Sequence, residues 1–326
     1  MNINDIAKAS GVSVATVSRV LNDSSRVSQK TKDRILEVIK ETGYHPSMIG
    51  KSLREKNTHL ILVLITSVVN TYYAKVIKGI ESVALSRGYY VVIANSYDKK
   101  EYEEAYLPLL TKRMVDGIIL ASSWVAPENL AGISSAYPIV QCGENFIENV
   151  PFVSIDNVGA AYDIVKLMIK KGKRRIATLS VDNSKPSTTD RMEGYKRALE
   201  ESGLQFDENL IMYGNYGFRN ALMTTEKFLT KNPDIDGIFA ISDRMAAGAI
   251  RAAKKFGKRV PDDIAVSGFD DVDIAYTVEP GITTVSQNQE EMGKAAATML
   301  IERINGKSKD NTQRIIPYEI KIRDSI

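Results

Sequence analysis

At 326 residues, with 44% hydrophobic and 25% charged side chains, the chain is a globular sequence long enough for two or three domains and unlike a disordered one. A single cysteine, Cys142, and two histidines, His45 and His59, exclude an internal disulfide and leave almost no material for a metal centre or a Ser-His-Asp triad, so no metal, cofactor or enzymatic activity is expected. The net charge of +3 is uneven: residues 1–58 hold ten Lys and Arg against six Asp and Glu, and the remainder thirty-three against thirty-four, which points to a polyanionic partner for the N-terminal segment.

Three helices are expected first, over about 4–10, 14–21 and 31–42. The third carries Ile35, Leu36, Val38 and Ile39 as its apolar stripe, with Ser28 or Thr31 as its cap and Gly43 as its stop. In the second, a turn of about 100° per residue puts Val14, Val17, Val20 and Leu21 on one side and Ala15, Ser18, Arg19 and Asn22 on the other. A solvated face more often carries Lys and Glu. Small and hydrogen-bonding residues instead allow close approach to a surface: Ser and Asn can bond phosphate oxygens, and Arg19 can reach guanine O6 and N7 in a major groove. Ser13 as N-cap and Gly11 in the preceding turn complete a helix-turn-helix pattern, with an ordinary helical hairpin as the alternative. The segment "HPSMIGKSLREKNTH" that follows is either a plain linker or a stretch that folds against a partner.

From residue 60 short β-rich runs alternate with amphipathic helices. Strands are expected at 60–65, 89–95, 117–121, 138–142, 151–155, 174–180, 210–213, 237–241 and 264–267. Helices are expected at 72–87, 101–113, 159–171, 191–202, 219–231, 244–256 and 289–304. Strands buried on both faces and separated by helices imply parallel sheets, too many strands for one sheet, and so two α/β subdomains with ligands beyond the carboxyl ends of the strands. The longest apolar runs, "LILVLI" at 60–65 and "GIILA" at 117–121, fall far short of the roughly 20 residues of a membrane helix, and no charged leader opens the chain, so a cytoplasmic protein without a membrane partner is expected.

The stretches "DIAKASGVSVATVSRVLN", "VSQKTKDRILEVIKETGYHP", "IDGIFAISDRMAAGAI" and "VPDDIAVSGFDDVDIAYTVEPGITTV" resemble the lactose-repressor-type (LacI/GalR) transcription regulators, and the similarity runs from Ile3 to "EIKIRDSI". The resemblance implies an α/β fold with an N-terminal three-helix DNA-binding domain (1–45), a hinge (46–59) and a two-lobed periplasmic-binding-protein-like core of parallel sheets. Residues 60–158 with 288–315 would form one lobe and 159–287 with 316–326 the other. It further implies that Ser13, Thr16, Ser18 and Asn22 contact phosphates, that Val14, Ala15 and Arg19 face base edges, and that Leu53 wedges into the minor groove.

In the core, the resemblance assigns to a small effector Tyr72 and Tyr73 from the first lobe, an arginine at the start of a helix, Arg191, the carboxylate of Asp270 and the aromatic Tyr216. Ser242 and Asp156, near strand ends, join them as weaker candidates, and Gly143 stands where family members place an acidic or polar cleft group. A sugar, sugar acid, phosphosugar or nucleoside suits this set, since hydroxyl pairs meet Asp and Arg while an apolar ring face meets an aromatic. The expected protein is a ligand-responsive repressor that binds a near-palindromic operator in double-stranded DNA as a homodimer. The alternative, a sugar-binding protein of a transport system, accounts for the core but not for residues 1–58; a sugar kinase would need a GxxxxGK[ST] phosphate loop, which the sequence lacks.

Overall fold

The computed structural model describes residues 1–21, 25–44, 57–121, 127–307 and 312–326, and Asn22, Leu53, His45 and most of the expected hinge lie outside them. The chain divides into two units, Met1–His59 and Leu60–Ile326.

In the first unit, helix α1 (Ile3–Ala9) starts at a capping box in which Asn2 and Asp5 each bond the other's backbone N–H. Helix α2 spans Val14–Leu21 and α3 spans Gln29–Thr42, closed by Gly43 in the left-handed region. Ser28 occupies the N-cap of α3, so Thr31 lies inside the first turn and the helix begins two residues earlier than the sequence suggests. The core of the unit is narrow: Ile6, Ala7, Val17, Val20 and Ile35 are its buried apolar residues. Leu36, expected in the stripe of α3, is instead 52% exposed, because three short helices can cover only a thin seam of that helix.

The second unit runs β1 (Leu60–Ile65), α4 (Thr71–Ser86), β2 (Tyr90–Asn95), α5 (Lys100–Thr111), β3 (Gly117–Leu120), α6 (Pro127–Ala136), β4 (Ile139–Cys142) and β5 (Phe152–Ser154). It continues through α7 (Asn157–Lys170), β6 (Ile176–Val181), α8 (Pro186–Glu200), β7 (Ile211–Gly214), α9 (Phe218–Lys231), β8 (Gly237–Ala240), α10 (Asp243–Lys255), β9 (Ala265–Ser267) and α11 (Ile274–Thr277). The chain ends with β10 (Thr284–Ser286), α12 (Gln289–Ile304), β11 (Gln313–Ile315) and β12 (Glu319–Lys321).

Two parallel sheets organise these elements, one in the order β11-β5-β4-β3-β1-β2 and one in the order β7-β6-β8-β9, with an antiparallel pair β10-β12 beside them. Alternation along β1 feeds both faces of the first sheet. Ile61, Val63 and Ile65 belong to the cluster that holds Val76 and Ile80 of α4 and Leu300 of α12, whereas Leu62 and Leu64 join Leu107 and Leu110 of α5. In the second lobe Tyr195 stacks on Phe239 at 6.2 Å between ring centroids and donates its hydroxyl to the carbonyl of Ile176 at 2.8 Å.

The parallel α/β alternation read from the sequence is present. Helix α8 starts five residues earlier than expected because Pro186 takes the first helical position, where its missing N–H costs nothing. The sequence pattern does not reveal α6, whose "PENLAGISSA" has few large apolar residues to mark a face, nor the four-residue α11 and the three-residue strands β10, β11 and β12, which are too short to show a period.

Candidate functional site

Ser13 caps α2, its hydroxyl accepting the backbone N–H of Thr16 at 3.2 Å, and Gly11 turns the chain before it with φ of 63°. Val17 and Val20 go into the seam, while Ser13, Ala15 and Arg19 are exposed and Thr16 and Ser18 are partly buried. Val14, on the same side of the helix as Val17 and Leu21, is nonetheless 39% exposed, so it is accessible alongside Ala15 and Arg19. Among the described residues Arg19 has no ion pair. The outward face of α2 therefore offers small side chains, hydroxyls and one unpaired guanidinium.

The core holds a cavity of about 390 Å³ lined by residues of both lobes. Of the seven effector candidates, Tyr72, Tyr73, Arg191, Tyr216, Ser242 and Asp270 line it. Asp156 does not: it is exposed, and its carboxylate accepts the N–H of Gly159 at 2.8 Å as the N-cap of α7, a strand-end position used for capping.

Arg191 sits in the second turn of α8, not at its start. Its Nε donates to Asn157 Oδ1 at 3.0 Å and one terminal nitrogen to the carbonyl of Ile241 at 2.7 Å, and its guanidinium stacks 3.7 Å above the Phe269 ring. The same nitrogen lies 3.8 Å from Asp270 Oδ1, which also accepts from Gln287 Nε2 at 2.6 Å. Burial pushes the Asp270 carboxyl up to about 6, with Arg191 pulling the other way. Its backbone has φ of 109°, a costly conformation for a residue with a side chain, held in place because its N–H donates to Val285 O at 2.9 Å and its carbonyl accepts from Gln289 Nε2. The neighbouring Asp271 is a structural residue instead, bonded by Arg323 at 2.6 Å.

The Tyr73 hydroxyl accepts from Thr66 Oγ1 at 3.0 Å, and its ring meets Tyr72 edge to face at 5.3 Å. Burial raises both phenols well above their ordinary range. Tyr216 lies 3.2 Å from the hydroxyl of Thr188, and Ser242 caps α10 by accepting from Met245 N–H. Gly143, in the left-handed region at φ of 88°, has no room for more: a Cβ there would stand 3.0 Å from the Tyr72 hydroxyl. The acidic group comes one residue later.

That residue, Glu144, is among the lining groups that sequence reasoning missed. Its carboxylate accepts both the backbone N–H of Ser187, at 2.9 Å, and the Ser187 hydroxyl, and burial raises its pKa. Lys185 donates to Asp98 at 2.7 Å with its side chain only 8% exposed. Lys75 donates to the carbonyl of Asp271 at 2.6 Å. Each of these bonds joins an element of the first sheet's lobe to one of the second, so the cleft is bridged by its own side chains. The place of Glu144 just beyond the carboxyl end of β4 was the signal that could have found it.

Among the described residues no group of His, Cys, Asp or Glu could hold a metal ion, and no helix is long and apolar enough to cross a membrane.

Residues 2–47 match the bacterial regulatory proteins of the lacI family, and residues 165–326 match a periplasmic binding protein-like domain. The ribose operon repressor of Halalkalibacterium halodurans is 34% identical over 323 residues, spanning 99% of this chain and 96% of that protein. A solved complex of the transcriptional regulator CelR with cellobiose superposes with a TM-score of 0.76 at 30% identity, covering 100% of this chain and 99% of that one. The lac repressor dimer bound to operator superposes with a TM-score of 0.90 at 23% identity over 100% and 98% of the two chains, a likeness of fold.

Proposed function

This chain belongs to the lacI family of bacterial regulatory proteins, and from that premise we propose that it is a cytoplasmic, effector-controlled repressor that acts on a near-palindromic operator as a homodimer. The observation that carries the reading is the outward face of α2, where Val14, Ala15 and Arg19 stand exposed beside the capping hydroxyl of Ser13. Duplex DNA suits that face, since small residues admit a groove edge and a guanidinium reads guanine. Ser13, Thr16 and Ser18 take phosphate oxygens, and Asn22 and Leu53, outside the described residues, keep their expected roles as phosphate contact and minor-groove wedge.

One three-helix unit makes too few base contacts to select a rare site, so two copies act together, one per half-site. The edge strand β2 supports a paired assembly: Tyr90, Val92 and Ile93 are 56%, 39% and 44% exposed, with Leu85 at the end of α4 exposed at 60%. An uncovered apolar edge of this kind is what a second copy covers.

The effector lies in the cavity, with Asp270 and Arg191 on its hydroxyls and Tyr72, Tyr73 and Tyr216 on its ring faces. Ser242 adds a hydroxyl; Asp156 is left to its helix cap. We take the lobes as 60–158 with 288–315 and 159–287 with 316–326, a division supported by β11 pairing in the first sheet and β12 pairing beside the second. The Lys185–Asp98 and Glu144–Ser187 bonds then mark the closed arrangement, and effector shifts the balance between closed and open lobes. A carbohydrate effector is supported by the cellobiose complex of CelR and by the ribose operon repressor.

A transport binding protein has the cleft but no use for α1 to α3. Selection of binding sequences from a random duplex pool, with the full-length chain at physiological salt, separates the two. The repressor reading predicts enrichment of near-palindromic sites, and a pool that stays random refutes it.

A further inference from the structure

The cavity is lined by six Asp, Glu, Lys and Arg side chains, Asp98, Glu144, Lys185, Arg191, Arg244 and Asp270, and their partners can be traced one by one. Asp98 meets Lys185 at 2.7 Å, Glu144 is bonded by Ser187, and Arg191 lies between Asn157, the Ile241 carbonyl and Asp270. Arg244 alone of the six has a side chain with no hydrogen bond or ion pair among the described residues, although it lines the cavity and is partly buried. Its place is also locally unfavourable. It is the second residue of α10, a 13-residue helix, where the exposed N–H groups of the first turn repel a cation and favour an anion. Asp243 beside it gives no relief, because its carboxylate is spent on Thr284 and on Val272 N–H. A residue that breaks a local rule inside a binding cavity is a candidate for function, since the bound ligand can supply the missing compensation.

Resting on the effector reading above, we propose that the effector carries, besides its hydroxyls, one carboxylate or phosphate group, and that Arg244 takes it. The three acids of the cavity are already engaged, Asp98 by Lys185, Glu144 by Ser187 and Asp270 by Gln287, and none of them forms an ion pair with Arg244. Asp270 and Arg191 hold the hydroxyl-bearing end, and Arg244, at the mouth of α10, fixes the charged end. A neutral sugar leaves the guanidinium without a counter-charge. An anion meets it by charge-assisted hydrogen bonds, bidentate when two anionic oxygens face it.

The test uses the full-length chain and matched trios of probes: a hexose, its hexonate and its 6-phosphate, and the corresponding trios built on a pentose and on a glucose disaccharide. Binding is measured by calorimetry and by the rise in unfolding temperature. In the trio that binds, a charged member is expected to bind at least about tenfold more tightly than its neutral parent. Arg244→Met is expected to weaken the charged member by roughly 10- to 100-fold while moving the neutral parent by less than about twofold. The preferred member of the trio tells carboxylate from phosphate. Arg244→Gln serves as the second variant, and the ligand-free unfolding temperature of each reports that it is folded. Equal binding of neutral and charged members, a charge preference that survives in both variants, or no binding by any charged probe overturns the inference. A neutral sugar that binds and alters operator affinity leaves the effector reading intact while this inference falls.

Discussion

The helical unit and the two-lobed unit place their chemistry oppositely. The first keeps, among its described residues, a seam of five buried apolar side chains and turns its working groups outward on α2; the second holds Arg191, Asp270 and Glu144 in a cavity and fixes them by hydrogen bonds. A surface that meets a rigid, highly charged duplex needs access and little internal organisation. A cleft that must recognise a small molecule needs its few polar groups held in advance, because each hydroxyl it meets has to replace water.

The sharpest way to break the comparison is at the two cores. Ile35→Ala removes a fully buried side chain from a seam with few others, at a cost of roughly 2–5 kcal/mol, which should unfold the helical unit and abolish operator binding. Calorimetric unfolding of the core and its ligand binding should persist; joint loss would mean the units do not fold separately.

In the larger unit the matching stress is at a helix crossing. A Cβ on Gly79 of α4 would stand 2.0 Å from the carbonyl oxygen of Glu290, and one on Gly293 of α12 would stand 2.0 Å from that of Val76. Gly79→Ala should therefore force the two helices apart and destabilise the core by roughly 1–3 kcal/mol, read as a lowered unfolding temperature. An unchanged temperature would show that the crossing gives way freely.

Arg19→Ala sharpens the outward face. It should cost roughly 1–3 kcal/mol on the selected operator and less on random duplex. Equal losses would make Arg19 a phosphate contact. Leu53→Ala should weaken operator binding without changing binding in the cleft.

The buried site gives the smallest effect, through pH. With the Asp270 carboxyl near 6, effector hydroxyls meet a carboxylate at pH 7 and mostly a neutral acid at pH 5, so affinity should fall roughly tenfold over that interval. Because the folded-state value is raised, the native state holds the extra proton between the unfolded value and about 6, and this group's contribution to stability falls as pH rises through that window. Asp270→Asn should flatten the dependence of binding; titration of calorimetric affinity against pH decides it.

Much of this was written plainly in the chain. Helix α2 was found to the residue, because an eight-residue amphipathic helix after Ser13 shows its period and its cap together. Tyr72, Tyr73, Arg191, Tyr216, Ser242 and Asp270, picked out from the sequence, line one cavity. What stayed hidden depended on contacts between distant segments. Lys185 reads as one more surface lysine until Asp98, eighty-seven residues away, is brought to it. Asp156 looks like a ligand group until its bond to Gly159 shows that the helix needs it. Val14 and Leu36 obey the helical period yet stay exposed, since a period fixes which side a residue faces and not how far the core extends.

The claim on which the account turns is that cleft and outward face are linked. The most direct test is reciprocal: operator affinity measured with and without saturating effector, and effector affinity measured with and without saturating operator. The account predicts that both change, in the same direction and by the same factor, on the order of 5- to 150-fold. Affinities that stay the same in both arms would contradict it.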